Sequence, residues 1–237
     1  MRVTERLLRG GSAGLAGRLR DRVRFAGNEV RCPCCEGRFG RFKATDGGPL
    51  ELECPRCGSR PRQRMLWLFL MAERLLAARG LRILHLAPEQ AIERRLRMLE
   101  GAEYVTVGIA NPLADVRAEV DSLPFEDGSF DRILCSYVLE GAPDDLRAME
   151  ELRRVLSPDG LAVIQAPVNA DLNRTVEAGG LRAYGLDLED RLTQAGFRVC
   201  VVPYAEEMDE SAAERHGVMS RSGPLRNDLY LCQVPRG

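Results

Sequence analysis

A chain of 237 residues has room for one ordinary domain and a small appendage, and 45% hydrophobic with 29% charged side chains is the composition of a folded globular protein. The longest strongly apolar run, residues 65–72, falls far short of the ~20 needed to cross a bilayer, so no membrane span is expected. The formal charge of −1 conceals an asymmetry: residues 1–64 hold 15 basic against 7 acidic side chains, nearly all of the basic ones arginine, and the rest of the chain is acidic. His85 and His216 are the only histidines, which excludes a metal centre built on three. The first thirty residues lack the apolar core of about 7–15 residues that marks an export signal. The eight cysteines are therefore expected in a reducing cytoplasm, as thiols or metal ligands rather than disulfides.

Residues 1–30 form a basic N-terminal segment in which Leu15, Leu19 and Val23 fall at i, i+4 and i+8, the stripe of a short helix. Such a helix packs on its own domain or lies on an anionic surface, a nucleic-acid backbone included. Residues 31–60 are rich in glycine and cysteine, with no helical period, and read as turns and short strands. Pro61 opens a strongly apolar helix over Arg62–Arg79, ended by Gly80. Being greasy on every side, this helix (61–80 as a connecting unit) is expected to be buried between the cysteine unit and the next domain. From residue 81 strands and helices alternate: strand 81–87, helix 89–99, strand 104–109, a short third strand 116–120, strand 130–137, helix 143–156, strand 161–167, helix 186–194, and strands 198–204 and 228–234. The pattern predicts an α/β domain over 81–237, a Rossmann-like doubly wound sheet, mostly parallel, with an antiparallel last strand.

Cys32, Cys35, Cys54 and Cys57 make two CxxC pairs, with Pro33 and Pro55 inside them and Gly58 after the second. This spacing suits four thiolates around one structural Zn2+ in a ribbon-like unit. Thiol turns without metal, or a redox pair, are the alternatives. Cys34 is an extra thiol beside Cys35, and Cys135, Cys200 and Cys232 are expected in the core.

The segments DSLPFEDGSFDRILCSYVLE and PDDLRAMEELRRVLSPDGLAVIQAPV resemble the class I S-adenosylmethionine-dependent methyltransferases of the type 11 family, over roughly residues 81–202. CPRCGSRPRQRMLWLFL and HLAPE are similar to a subset with an N-terminal four-cysteine zinc unit. The resemblance implies S-adenosyl-L-methionine as cofactor and transfer of its methyl to an acceptor that is a small molecule or a macromolecule. It implies that His85, Ala87, Pro88 and Glu89 meet the methionine part of the cofactor. Glu119 would accept from the adenine amino group with the Val120 amide near the ring, and Cys135, Ser136 and Tyr137 would line the floor under the sulfonium. Tyr137 and Glu140 are the candidates for handling a proton. Four positions depart from the family pattern. Gly108 stands where an acid grips the ribose, with Asn111 as a substitute; Gly141 replaces a histidine; Pro158–Asp159–Gly160 replaces Pro-Gly-Gly; and 168–186 is short for a substrate cap. These departures raise a second role, a partner protein that keeps the fold and binds cofactor poorly; the arginine excess of the basic N-terminal region raises a third, a nucleic-acid binder.

Overall fold

The computed structural model describes residues 23–45, 48–218 and 224–235. Leu15 and Leu19 lie outside them, and Val23 at their edge is exposed. Two antiparallel pairs build the cysteine unit: β1 (Val30–Arg31) with β2 (Arg38–Phe39), and β3 (Lys43–Thr45) with β4 (Gly48–Glu53). Helix α1 (Pro61–Ala72) follows, with Pro61 in its first turn and the Gln63 side chain accepting from the Arg60 amide at 2.9 Å. It ends at Ala72 rather than Arg79. Arg74 takes a left-handed φ of 53°, and the Leu75 amide turns back to the Leu70 carbonyl at 3.1 Å, closing the helix.

The alternating part then runs β5 (Arg82–Leu86), α2 (Gln90–Leu96), β6 (Glu103–Val107), β7 (Phe130–Ser136), a 3-10 turn at Leu139–Gly141, α3 (Asp145–Val155) and β8 (Leu156–Gln165). Short strands β9 (Val168–Asn169), β10 (Val176–Ala178) and β11 (Leu181–Ala183) lead to α4 (Leu188–Gln194) and β12 (Arg198–Val202). Helices α5 (Tyr204–Glu207) and α6 (Glu210–His216) and strands β13 (Leu225–Arg226) and β14 (Leu229–Gln233) complete the described elements. The main sheet has six strands in the order β12-β14-β8-β7-β5-β6. β5, β6, β7 and β8 are parallel, and β14 runs antiparallel between β8 and β12, as the sequence predicts. The expected third strand is not in the sheet: residues 116–120 make one bridge, Val107 to Val116, and run on as an extended segment.

Strand alternation sorts the sheet's side chains to two layers. Ile133, Cys135, Ala162 and Ile164 face the core shared with Ala148, Met149, Leu152 and Val155 of α3. Leu134, Val163 and Leu229 face the other way, into one apolar cluster with Met65, Leu66, Trp67, Phe69 and Leu70 of α1 and with Cys32, Phe42 and Cys54. The cysteine unit, its helix and the sheet thus share a core, as the apolar helix leads one to expect. Cys200 corrects another expectation. It is exposed, because Val199 and Val201 on either side turn to the core from the edge strand β12.

Arg64 is the fixed point of this joint. Its guanidinium is fully buried beneath the Phe42 ring at 4.0 Å. It donates to the Leu52 carbonyl at 3.0 Å, the Ser59 carbonyl, and the carbonyls of His216 and Gly217, both at 2.8 Å. Burial alone pulls its pKa down, opposed by the charge of the neighbouring cysteines. Arg64→Met leaves several buried carbonyls without donors, at ~1–3 kcal/mol each, and is expected to cost about 3 kcal/mol or more. The check is a lower urea midpoint at unchanged m-value.

Candidate functional site

The four predicted ligands converge. The sulfurs of Cys32, Cys35, Cys54 and Cys57 all lie within 4.8 Å of one another. The Cys32–Cys57 and Cys35–Cys54 separations are both 3.6 Å. A tetrahedron with metal–sulfur bonds of ~2.3 Å has sulfur–sulfur edges of ~3.8 Å, so the donor set fits one tetrahedral ion. The Arg56 amide approaches Cys54 Sγ at 3.4 Å and the Ser59 hydroxyl lies 3.1 Å from Cys32 Sγ, turning donors towards sulfur. The Cys32 thiol is held far below its ordinary range by hydrogen bonds from Cys34, Cys35, Cys54 and Cys57, and Cys54 is pushed up by the same contacts. Cys34 is buried outside the group of four.

The second site is the carboxyl edge of the sheet, where ligands of doubly wound folds lie. The parallel registers end together: Leu86 of β5 stands opposite Val107 of β6 and Cys135 of β7, and Ser136 opposite Gln165 of β8. After β5, Ala87 bends the chain with a φ of 43° while its amide donates to the Val107 carbonyl at 2.7 Å. A left-handed non-glycine residue costs ~1 kcal/mol or more, so the turn is held by its surroundings. His85 is buried, its Nδ1 2.8 Å from the Tyr104 hydroxyl and its Nε2 3.3 Å from Glu89 Oε2. Glu89 Oε1 lies 3.1 Å from Ser136 Oγ, which is also 2.9 Å from Gln165 Oε1. His85, Glu89 and Ser136 are therefore one hydrogen-bonded group spanning β5 and β7. Cys135 is buried in the core, and burial pushes its thiol up.

Gly108 follows β6 directly. A Cβ there would meet Ala87 Cα and Asn111 Cβ at 3.7 Å, ordinary contact, so packing does not demand glycine. Asn111 is engaged in its own turn, Oδ1 accepting from the Leu113 amide at 3.0 Å. The first acid that follows in the chain, Asp115, is also committed. Thr106 donates to it from its amide at 2.9 Å and its hydroxyl at 2.7 Å, and Arg97 at 3.2 Å. Burial raises Asp115, but these donors outweigh it and its pKa is lowered. Glu119 is exposed on the extended segment, and Val120 beside it is buried.

Beyond β7 the structure gathers residues that sequence reading left apart. Tyr137 has a φ of 56°, its amide donates to the Gln165 carbonyl at 2.8 Å, and its hydroxyl donates to Asn227 Oδ1. The Arg62 guanidinium, from α1, stacks 4.3 Å over the Tyr137 ring. Burial raises the Glu140 carboxyl against the pull of its own amide and of the Arg62 charge. Among the described residues, three buried side-chain atoms lack a hydrogen-bond partner: Arg62 Nε, Glu140 Oε2 and Gln165 Nε2. Buried polar atoms are otherwise almost always paired, so such a cluster marks a place for a ligand. Arg62, Gln165 and Asn227 escaped the sequence reading because nothing local indicates that α1 packs against this edge.

Gly141, where the family has histidine, lies under the β10–β11 hairpin: its Cβ would meet Leu181 Cδ2 at 3.7 Å. Arg182 clamps that hairpin down, donating to the Ala142 and Pro143 carbonyls and pairing with buried Asp145 at 3.2 Å. Asp145 also pairs with Arg191 at 2.6 Å and accepts from the Tyr184 hydroxyl at 3.0 Å. The cysteine unit carries a cavity of about 840 Å³ lined by Arg24, Arg41 and Lys43 around buried Phe25 and Phe42.

The sheet order, its antiparallel strand and the strand-end site define a methyltransferase-type α/β domain. Residues 74–164 match the Methyltransf_11 family model, described as a methyltransferase domain. Over 66 residues the chain is 38% identical to the demethylmenaquinone methyltransferase of Staphylococcus epidermidis, covering 28% of this chain and 27% of that protein. The chain thus spans about a quarter of the length of that curated relative. An S-adenosylmethionine-dependent methyltransferase from Mesorhizobium loti has a similar structure, with TM-score 0.53, 18% identity, and coverage of 71% of this chain and 98% of that one. The [4+2]-cyclase SpnF is similar at TM-score 0.52 and 21% identity, over 74% of this chain and 82% of its own. At these identities the likeness is one of fold, a fold that also carries a cyclase.

Asp145→Asn leaves Arg182 and Arg191 without their shared carboxylate. Breaking a buried pair typically costs ~3–5 kcal/mol. The expected result is a lower thermal midpoint and faster amide exchange in the β10–β11 hairpin, read by hydrogen-exchange mass spectrometry.

Proposed function

We propose that the protein is an S-adenosylmethionine-dependent methyltransferase whose cysteine unit holds a structural zinc. The observation that carries this reading is the meeting, at one edge of a methyltransferase-family sheet, of the His85–Glu89–Ser136 group with three unpartnered buried polar atoms. Glu89 has spare lone pairs for the methionine ammonium of the cofactor, with His85 and Ser136 fixing its carboxylate and Ala87 shaping the turn. Ser136 and Cys135 form the floor beneath the sulfonium. Gly108 lines the ribose side, and exposed Glu119 with Val120 the adenine side. Bound there, S-adenosylmethionine supplies an electrophilic methyl group. Tyr137 and Glu140 flank the acceptor, and the raised Glu140 carboxyl is suited to taking its proton. Four thiolates leave no open coordination position, so the zinc at Cys32, Cys35, Cys54 and Cys57 holds the fold and takes no part in chemistry.

The second reading, a partner protein with impaired cofactor binding, is favoured by one fact. The missing strand-two acid is not made good by Asn111 or Asp115, both engaged elsewhere. The basic rim of Arg24, Arg41 and Lys43 supports nucleic acid as acceptor or partner; binding there would weaken steeply with salt, and a salt-independent constant excludes it.

The purified protein is expected to carry one zinc per chain by elemental analysis and to bind S-adenosylmethionine with micromolar Kd by calorimetry. Loss of a charged acceptor costs ~1.5–3 kcal/mol, so Glu119→Ala should weaken binding by about tenfold or more. Gly108→Asp, for which there is room, should tighten it by a similar factor. No binding by the native protein up to millimolar cofactor would leave the partner-protein reading standing.

A further inference from the structure

The methyl acceptor is read from the atoms left without partners. Arg62 reaches the carboxyl edge from α1, and its Nε is buried with no acceptor. Arg62 as a whole is half-buried, but an Nε–H shut off from water without an acceptor is costly, and many neutral residues would stack on Tyr137 as well. Three residues along the same turn, Glu140 Oε2 is buried with no donor. Arg62 and Glu140 sense each other's charge, yet among the described residues they form no ion pair. A cation and a carboxyl that feel each other's charge without pairing, each with a buried atom unsatisfied, leave a place for a ligand that meets both. Between and beside them stands Tyr137, held in a left-handed conformation by its amide on Gln165, its hydroxyl on Asn227 and its ring under Arg62. Strain of this kind persists where the surroundings over-determine it, commonly at ligand clamps.

Gln165 adds an independent sign. It is only 1% exposed, and its side-chain amide meets Ser136 through Oε1 while Nε2 has no partner. The Ser136 hydroxyl has one proton and two carboxyl-type oxygens facing it, Glu89 Oε1 and Gln165 Oε1. Whichever way the amide is turned, one end of it is free.

We propose that Arg62 binds the methyl acceptor, and that with Glu140 it selects a small hydroxy acid in which the O–H to be methylated lies beside an oxygen anion. Arg62 Nε–H donates to the anion, and the free end of Gln165 meets the remaining polar edge; Glu140 accepts from the O–H and takes its proton as the O–CH3 bond forms and the S–CH3 bond of S-adenosylmethionine breaks, leaving neutral S-adenosylhomocysteine. The assignment rests on the methyltransferase reading for the word acceptor, but the subsite itself does not need the cofactor. It also gives the cysteine unit a second role: the helix it anchors carries a substrate-binding residue, so the zinc unit positions part of the active site.

The test uses the zinc-loaded full chain and 2-hydroxybenzoate as probe, with benzoate and phenol as controls, titrated calorimetrically with and without S-adenosylhomocysteine. 2-Hydroxybenzoate is expected to bind at least about tenfold tighter than either control, the worth of one further charge-assisted hydrogen bond. Arg62→Met and Glu140→Gln should each weaken it about tenfold or more, with Arg62→Lys intermediate. Zinc content, thermal midpoint and S-adenosylhomocysteine affinity should stay at native values. Equal binding of the three probes, or unchanged affinity in Arg62→Met and Glu140→Gln, overturns the proposal. Should Arg62→Met fail to fold, Glu140→Gln decides the matter. Cofactor-product binding without discrimination among probes sinks the subsite and spares the methyltransferase reading. Discrimination without binding of S-adenosylhomocysteine does the reverse.

Discussion

A buried arginine that has no carboxylate partner among the described residues holds this molecule together. Arg64 gives its donors to backbone carbonyls from the cysteine unit, at Leu52 and Ser59, and from the end of α6, at His216 and Gly217. These segments lie more than 150 positions apart, and the guanidinium is where they meet. A charge so placed is tolerable only if it is fully hydrogen-bonded and if negative charge lies nearby. The neighbouring sulfurs supply the latter: their charge opposes the effect of burial on Arg64. Four thiolates around a dication would be net negative, so a metal held by the four cysteines and the arginine would favour each other. Loss of either disturbs the other.

The same helix also reaches the carboxyl edge of the sheet. Arg62 and Arg64 are two positions apart, about 200° around an α-helix. One therefore turns into the cysteine unit while the other lies over Tyr137 at the sheet edge. Because α1 is packed into one apolar cluster with Leu134, Val163 and Leu229, this placement is rigid. A small unit that would otherwise only cap the domain thereby fixes a side chain at the candidate site.

Packing demands glycine at neither Gly108 nor Gly141. A Cβ at Gly141 would meet Leu181 Cδ2 of the β10–β11 hairpin at 3.7 Å, ordinary contact, and the Arg182–Asp145 pair holds that hairpin in place. The short segment 168–186 is not merely a lost cap. It is a compact clamp over the turn that follows β7. At Gly108 too a Cβ would meet only ordinary contacts.

What the sequence alone determined was whatever is written in short-range order. Strand and helix periodicity foretold β5 to β8, α3 and the antiparallel β14, because a buried strand and an amphipathic helix each carry their own pattern. The two CxxC pairs foretold the thiol cluster, because a tight turn brings its own sulfurs together. Pattern failed where a neighbour decides. The segment 116–120 has the composition of a strand but finds only Val107 to bridge, and Cys200 sits among apolar residues yet faces outward on an edge strand. The site divides in the same way. His85, Glu89, Ser136, Tyr137 and Glu140 were legible because strand ends are legible. Arg62, Gln165 and Asn227 come from elements distant in sequence, and only packing puts them around one tyrosine. Burial and pairing are properties of the folded surroundings, so the atoms left without partners, and the ligand they call for, belong to the tertiary structure alone.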